Sequence, residues 1–202
     1  MKRKKILLIL SLLTFFIIVI VGIKRIDDKP NNENNKTVLV AQKETVFDMD
    51  LSPNNSYLQT VSYHGVSFMC PASWSVYKKV SAVYGIACED NNTNAIRSVN
   101  FMWVNIEIPP EAWIEEGLKE AQDKLGSNKH AVSPIRESMF NTIKSKTIDI
   151  SYTDRELNKK VYGKITSFKL KGGSCLVIMF NDTEIESDAD FYAVEKSFEV
   201  KL

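Results

Sequence analysis

Two histidines and three cysteines are the residues whose side chains most often carry chemistry in a chain of these 202 residues. Cys70, Cys88 and Cys175 lack the short paired spacing that a zinc site needs. His64 stands at the rim of an opening strand and His130 in a polar loop. Neither has a cysteine or carboxylate at a spacing that suggests a ligand set or a catalytic triad. Glu89-Asp90-Asn91-Asn92-Thr93-Asn94 gathers side-chain oxygens as a calcium loop does, but it lacks that loop's glycine and terminal glutamate and reads as a hairpin tip. Gly172-Gly173 leads into a strand and opens no helix, so it is a turn and no phosphate cradle. The carboxylate pairs fall on helix faces and turns. No cofactor is expected, and an enzyme would need a site assembled from dispersed polar residues.

The elements that must position these groups begin at Tyr63. Val66, Phe68 and Cys70 alternate with Ser67 and Met69, one apolar row of a strand. Pro71 removes a backbone donor and ends it, and a short turn delivers Trp74 into a second strand. Val76 to Val80 and Val83 to Cys88 are short strand candidates. Ser98 to Ile108 is the strongest strand, with Met102, Val104, Ile106 and Ile108 on one face. Phe101 and Trp103 share the other face with Asn105 and Glu107. That company leaves two readings: a face covered by a helix, or an exposed aromatic patch that docks a partner. Pro109-Pro110-Glu111 opens a helix with proline in its first turn and acid at the positive end of its dipole. Ile114, Leu118, Ala121 and Leu125 make its stripe, bordered by Trp113 and Gly117. Then come Ser138 to Ile143, Lys146 to Tyr152, Lys160 to Leu170, the Lys171-Gly172-Gly173-Ser174 hairpin, and Cys175 to Phe180, apolar on both faces and so central. Ser187 to Lys196 is a second helix, and Ser197-Phe198-Glu199-Val200 closes the chain as a strand.

The N-terminus has a different composition. Lys2-Arg3-Lys4-Lys5 precedes an apolar run from Ile6 to Ile23, just long enough at about 1.5 Å per residue to cross a hydrocarbon core. Either it is retained as an anchor or it is cleaved as a signal peptide; its length and the lack of a small-x-small cleavage site favour the anchor. The basic excess before the run predicts a cytoplasmic N-terminus and a domain outside. The division expected is a basic tail at 1–5, a single-pass helix at 6–23, a polar linker at 24–56 and a folded domain at 57–202. A net charge of +1 with no basic stripe outside the extreme N-terminus gives no reason to expect nucleic acid. Cys70 and Cys88 both lie at strand ends on apolar faces. They pair as a disulfide if those strands are neighbours in an oxidising compartment; otherwise all three thiols are free and buried.

The strand running into Pro71-Ala72-Ser73-Trp74, the Gly172 hairpin, the central strand and the terminal Ser197-Phe198 resemble the PsbP-like family over about residues 57 to 202. The resemblance implies an α+β fold, an antiparallel β-sheet sandwiched between helices. Family members are mostly non-catalytic: plant ones help a photosystem retain calcium and chloride, and bacterial ones are envelope or secretion accessories. The residues with which plant members act have no match here. The expectation is a membrane-anchored, extracytoplasmic, non-catalytic binding module whose partner is an envelope or secreted protein, the alternative being an envelope enzyme.

Overall fold

Among the described residues eleven strands and two helices follow one another, and a wide sheet forms around Gly173–Asn181, a strand apolar on both faces. The computed structural model describes residues 51, 56–79, 83–92, 94–125 and 130–201. The helix expected at 6–23 and nearly all of the linker expected at 24–56 lie outside these residues. Among the described residues no helix is long and apolar enough to cross a membrane.

The strands are β1 (Leu58–Tyr63), β2 (Val66–Pro71), β3 (Trp74–Lys79), β4 (Tyr84–Asp90), β5 (Ser98–Val104), β6 (His130–Val132), β7 (Arg136–Phe140), β8 (Ile143–Asp154), β9 (Lys159–Leu170), β10 (Gly173–Asn181) and β11 (Glu199–Val200). Helix α1 (Pro110–Leu125) follows β5, and α2 (Ala189–Lys196) follows β10 after a 3-10 turn at Ile185–Ser187. The order β3-β4-β5-β10-β9-β8-β6, with β7 also on β8, makes an eight-stranded sheet; β1-β2-β11 make a smaller one. Every pairing is antiparallel.

The two faces of the large sheet bury different partners. On one face α1 lies against β8, β9 and β10 and buries Trp113, Ile114 and Ala121. Each large apolar side chain so buried is worth about 1.5–3 kcal/mol. Gly117 lets the helix approach: a Cβ there would lie 3.0 Å from Leu176 Cδ2 and 3.4 Å from Ile165 Cγ2. The expected stripe is thus turned toward Trp113 and Gly117, and Leu118 is only half-buried. On the other face the small sheet and α2 close the main core, which contains Val66, Phe68, Cys70, Trp74, Ile86, Cys88, Val99, Phe101, Trp103, Phe140, Phe168, Val177, Phe191 and Phe198. The large sheet therefore has a helix on one side and a second sheet with a helix on the other, where the family resemblance implied helices on both. β10 is apolar on both faces because both layers cover it.

Candidate functional site

Phe101 and Trp103 form no surface. Their relative exposures are 0% and 1%, and the reading of them as a partner-docking patch is corrected. The strand ends at Val104, so Asn105 and Glu107 belong to the following loop and say nothing about that face. Nor is it α1 that covers them. Phe101 lies 4.4 Å from the Phe68 ring and stacks at 5.3 Å on Phe198, centroid to centroid. Trp103 meets Tyr63 and Tyr84, each at 5.9 Å, and its indole Nε1 is buried without a hydrogen-bond partner.

The two histidines are far apart in the fold. His64 occupies the β1–β2 turn with φ 44°, followed by Gly65 at φ 81°, and stacks on Tyr84 at 4.3 Å. His130 begins β6, a strand where the polar sequence predicts a loop, and its Nε2 lies 3.1 Å from Gln122 Nε2. Cys70, Cys88 and Cys175 are free thiols, all buried. Hydrogen bonding to Cys88 holds the Cys70 thiol below its ordinary value, against the effect of burial. The hydrogen bond to Cys70, and then burial, push Cys88 far up, and burial alone raises Cys175.

A groove of about 390 Å³ opens where the small sheet leaves β8 and β9 uncovered; Ser133, Asp149, Ser151, Tyr162, Lys164 and Glu186 supply its polar lining. That volume lies within the range of ligand sites. Register builds it: Asp149 faces Lys164 and Ser151 faces Tyr162 across β8–β9. Ser133 fixes the rim, its N–H donating to Asp149 O and its Oγ accepting from Asp149 N, both at 2.9 Å. Arg136 donates two N–H groups to the Asp149 carboxylate, and Lys164 pairs with Glu186 at 3.0 Å. Burial raises the Glu186 carboxyl, but the charge and hydrogen bond of Lys164 outweigh it, and the net shift is downward. Nothing in the sequence announces this groove, because four segments distant in the chain converge on it; the alternation of Asp149 and Ser151 on β8 is its only local trace.

A half-buried ionic knot sits elsewhere, at the start of α2. Arg97 Nη2 donates to both Asp188 oxygens at 2.9 and 2.8 Å and to Asp190 Oδ2 at 2.6 Å. Tyr57 OH donates to Asp190 Oδ1 at 2.6 Å, and the guanidinium lies 5.5 Å from the Trp74 ring centroid. Burial disfavours the Arg97 charge, yet the two aspartates outweigh it and hold the group more firmly protonated. Burial first, and then the bond to Asp190, push the Tyr57 phenol up to about 12. Asp188 also caps α2, accepting from the N–H groups of Asp190 and Phe191. A metal ion would find its place between these carboxylates taken by the guanidinium. Among the described residues no group of three or more histidine, cysteine or acidic side chains is placed to hold one.

No family model matches the chain, and no curated protein matches it. Among the solved structures similar to this chain are the following two. The solution structure of cyanobacterial PsbP from Synechocystis has a TM-score of 0.49 and 13% identity, covering 72% of this chain and 94% of that one. The crystal structure of LpqN, involved in cell envelope biogenesis of Mycobacterium tuberculosis, has a TM-score of 0.42 and 13% identity, covering 72% and 92%. One of the two is a PsbP, the family that the sequence resembles. The envelope role stated for the mycobacterial protein is a property of that protein.

Proposed function

We propose that this chain is a membrane-anchored accessory module of the cell envelope, non-catalytic, which binds an envelope or secreted protein through the β6–β8–β9 groove. The observation that carries binding over catalysis is the pairing inside the groove. Asp149 is held by Arg136 and Glu186 by Lys164, so each carboxylate is neutralised by a neighbour, whereas a general base needs a lone pair aimed at substrate. Neutralised pairs with hydroxyls between them suit an extended polypeptide or another polar surface, which needs many modest hydrogen bonds. Anchoring is supported by the Ile6 to Ile23 run behind four basic residues, and the charge asymmetry supports a domain outside.

The test uses full-length protein in its native membranes, with a photo-crosslinker at Ser151 in the groove or at exposed Tyr77 on β3. Expected is one discrete crosslinked protein from Ser151 and none from Tyr77, lost in a Lys164→Glu variant whose melting temperature stays within a few degrees. Equal crosslinking from both positions would sink the groove as the binding place.

A further inference from the structure

We propose that Cys70 and Cys88 close a disulfide between the two sheets while the chain folds, leaving Cys175 as the free thiol. The step is a thiol–disulfide exchange: an external disulfide, such as oxidised glutathione or a disulfide-bearing oxidoreductase, takes two electrons and two protons. It leaves as two thiols while the Cys70–Cys88 sulfur–sulfur bond forms. In the cell the bond rests on the proposal that the domain lies outside, where such oxidants act. The geometry does not depend on that location.

The packing of the two sheets and the path of the chain between them bring the two residues together. Phe68 on β2 packs on Phe101, and Phe101 pairs with Ile86 on β4. Two residues further along the inner face, β2 reaches Cys70 and β4 reaches Cys88, the latter flanked by Val76 and Val99. The chain then turns at Pro71 and enters β3 at Trp74, which pairs with Asp90, two past Cys88. The corner that carries the chain from one sheet to the other therefore holds Cys70 beside the end of β4. Gln59 Nε2 pins this corner, donating to Pro71 O at 2.9 Å and to Trp74 O at 2.8 Å. Both thiols have 0% exposure, lie in one core cluster and interact with each other directly. Cys175 shares the core but pairs with Trp103, four residues along β10 from Met179, the partner of Val99. At about 3.3 Å per residue that is roughly 13 Å from the Cys88 row, beyond bridging distance.

Burial also sets the order of events. No oxidant reaches a sulfur with no exposed surface in the native state, so exchange occurs in the unfolded or partly folded chain. The folded protein then shields the bond from reductants. In the chain-entropy model a loop of this length lowers the unfolding equilibrium on the order of 10²-fold.

The decisive experiment refolds the reduced, detergent-solubilised full chain in a glutathione redox buffer, followed by acid quench, alkylation in denaturant and peptide mapping. Expected is one alkylated thiol, Cys175, with Cys70 and Cys88 in one linked peptide. Adding reductant to the denaturant series should destabilise the wild type and leave Cys88→Ser unaffected. Three alkylated thiols after refolding, or equal reductant sensitivity of wild type and Cys88→Ser, would overturn the bridge. Alkylation of protein from native membranes, beside protease accessibility from outside, separates this from the location. Protease-protected protein with reduced thiols would refute the outside location alone, and protease-accessible protein with three thiols refutes the bridge.

Discussion

Replacing Trp103 by alanine removes an indole that is 1% exposed and wedged between the Tyr63 and Tyr84 rings. Burying such a side chain takes roughly 200 Å² of surface out of water, about 5 kcal/mol at about 25 cal/mol per Å². One effect opposes it. The indole Nε1–H is buried with no partner, a desolvation cost of about 1–3 kcal/mol that alanine relieves. The net loss is therefore about 3 kcal/mol, at the low end of what truncating a buried tryptophan costs. For a domain of this size that lowers the melting temperature by about 10 °C. Trp103→Phe keeps a ring and discards the orphaned donor, so it should cost under about 1.5 kcal/mol. Urea unfolding followed by circular dichroism measures both, with the slope expected to stay constant so that the midpoint reports stability. A Trp103→Ala protein melting within about 2 °C of wild type would refute the packing argument and return this residue to the surface.

Two further outcomes follow from the same coordinates. Gly173→Ala would set a Cβ 2.3 Å from the Val104 carbonyl oxygen, whereas at Gly172 (φ 76°) nothing lies within 4 Å. Gly172→Ala should thus cost only the left-handed backbone, about 1–2 kcal/mol, and Gly173→Ala at least twice as much in the same urea series; equal losses would contradict the close approach. The Tyr57 phenol is raised from 10.0 to about 12, so the neutral form is favoured in the folded state. Its contribution to stability is whole below pH 10 and is lost as pH climbs toward about 12. Tyr57→Phe should flatten that alkaline decline without abolishing it, because Tyr152 is also raised to about 12; urea midpoints across this range that decline equally in both proteins would disprove the link.

Much of the fold was legible because the periodicity was clean. The alternation of Val66, Phe68 and Cys70, the two-faced apolarity of Cys175 to Phe180 and the proline-led helix each describe a single physical environment, and the structure puts each where that environment is. Reading failed where a short element owes its existence to its neighbours. β6 is three residues with all side chains exposed, held by pairing with β8 rather than by its own pattern. β1 was not read as a strand: its buried residues Leu58 and Val61 are three apart and do not follow the two-residue period of a strand. Phe101 and Trp103 were ambiguous because Asn105 and Glu107 share their parity in the sequence, and parity stops meaning a face once a strand ends. The groove was invisible for a different reason: its residues come from β6, β8, β9 and the 3-10 turn, and nothing local to any of them foretells the others.

The residues that carry the family resemblance have identifiable mechanical tasks. Pro71 ends β2 at the crossing between sheets, and the N–H of Ala72 beside it donates to Tyr57 O at 2.9 Å. Trp74 lies between Phe191 of α2, at 5.6 Å, and the Arg97 guanidinium. It thus joins the apolar core to the ionic knot that fixes the start of α2. Ser197 Oγ donates to Ala193 O at 2.6 Å and accepts from Met69 N at 2.7 Å, tying the end of α2 to β2. Phe198 is the hub of a ring cluster with Phe101, Phe140 and Phe168. Pro71, Trp74 and Phe198 join the small sheet or α2 to the large sheet, Ser197 joins α2 to the small sheet, and none of the four lines the groove. A signature made of such residues specifies how two layers close on each other. It leaves the groove free to vary, which is why the same residues that made the fold readable said nothing about what the protein binds.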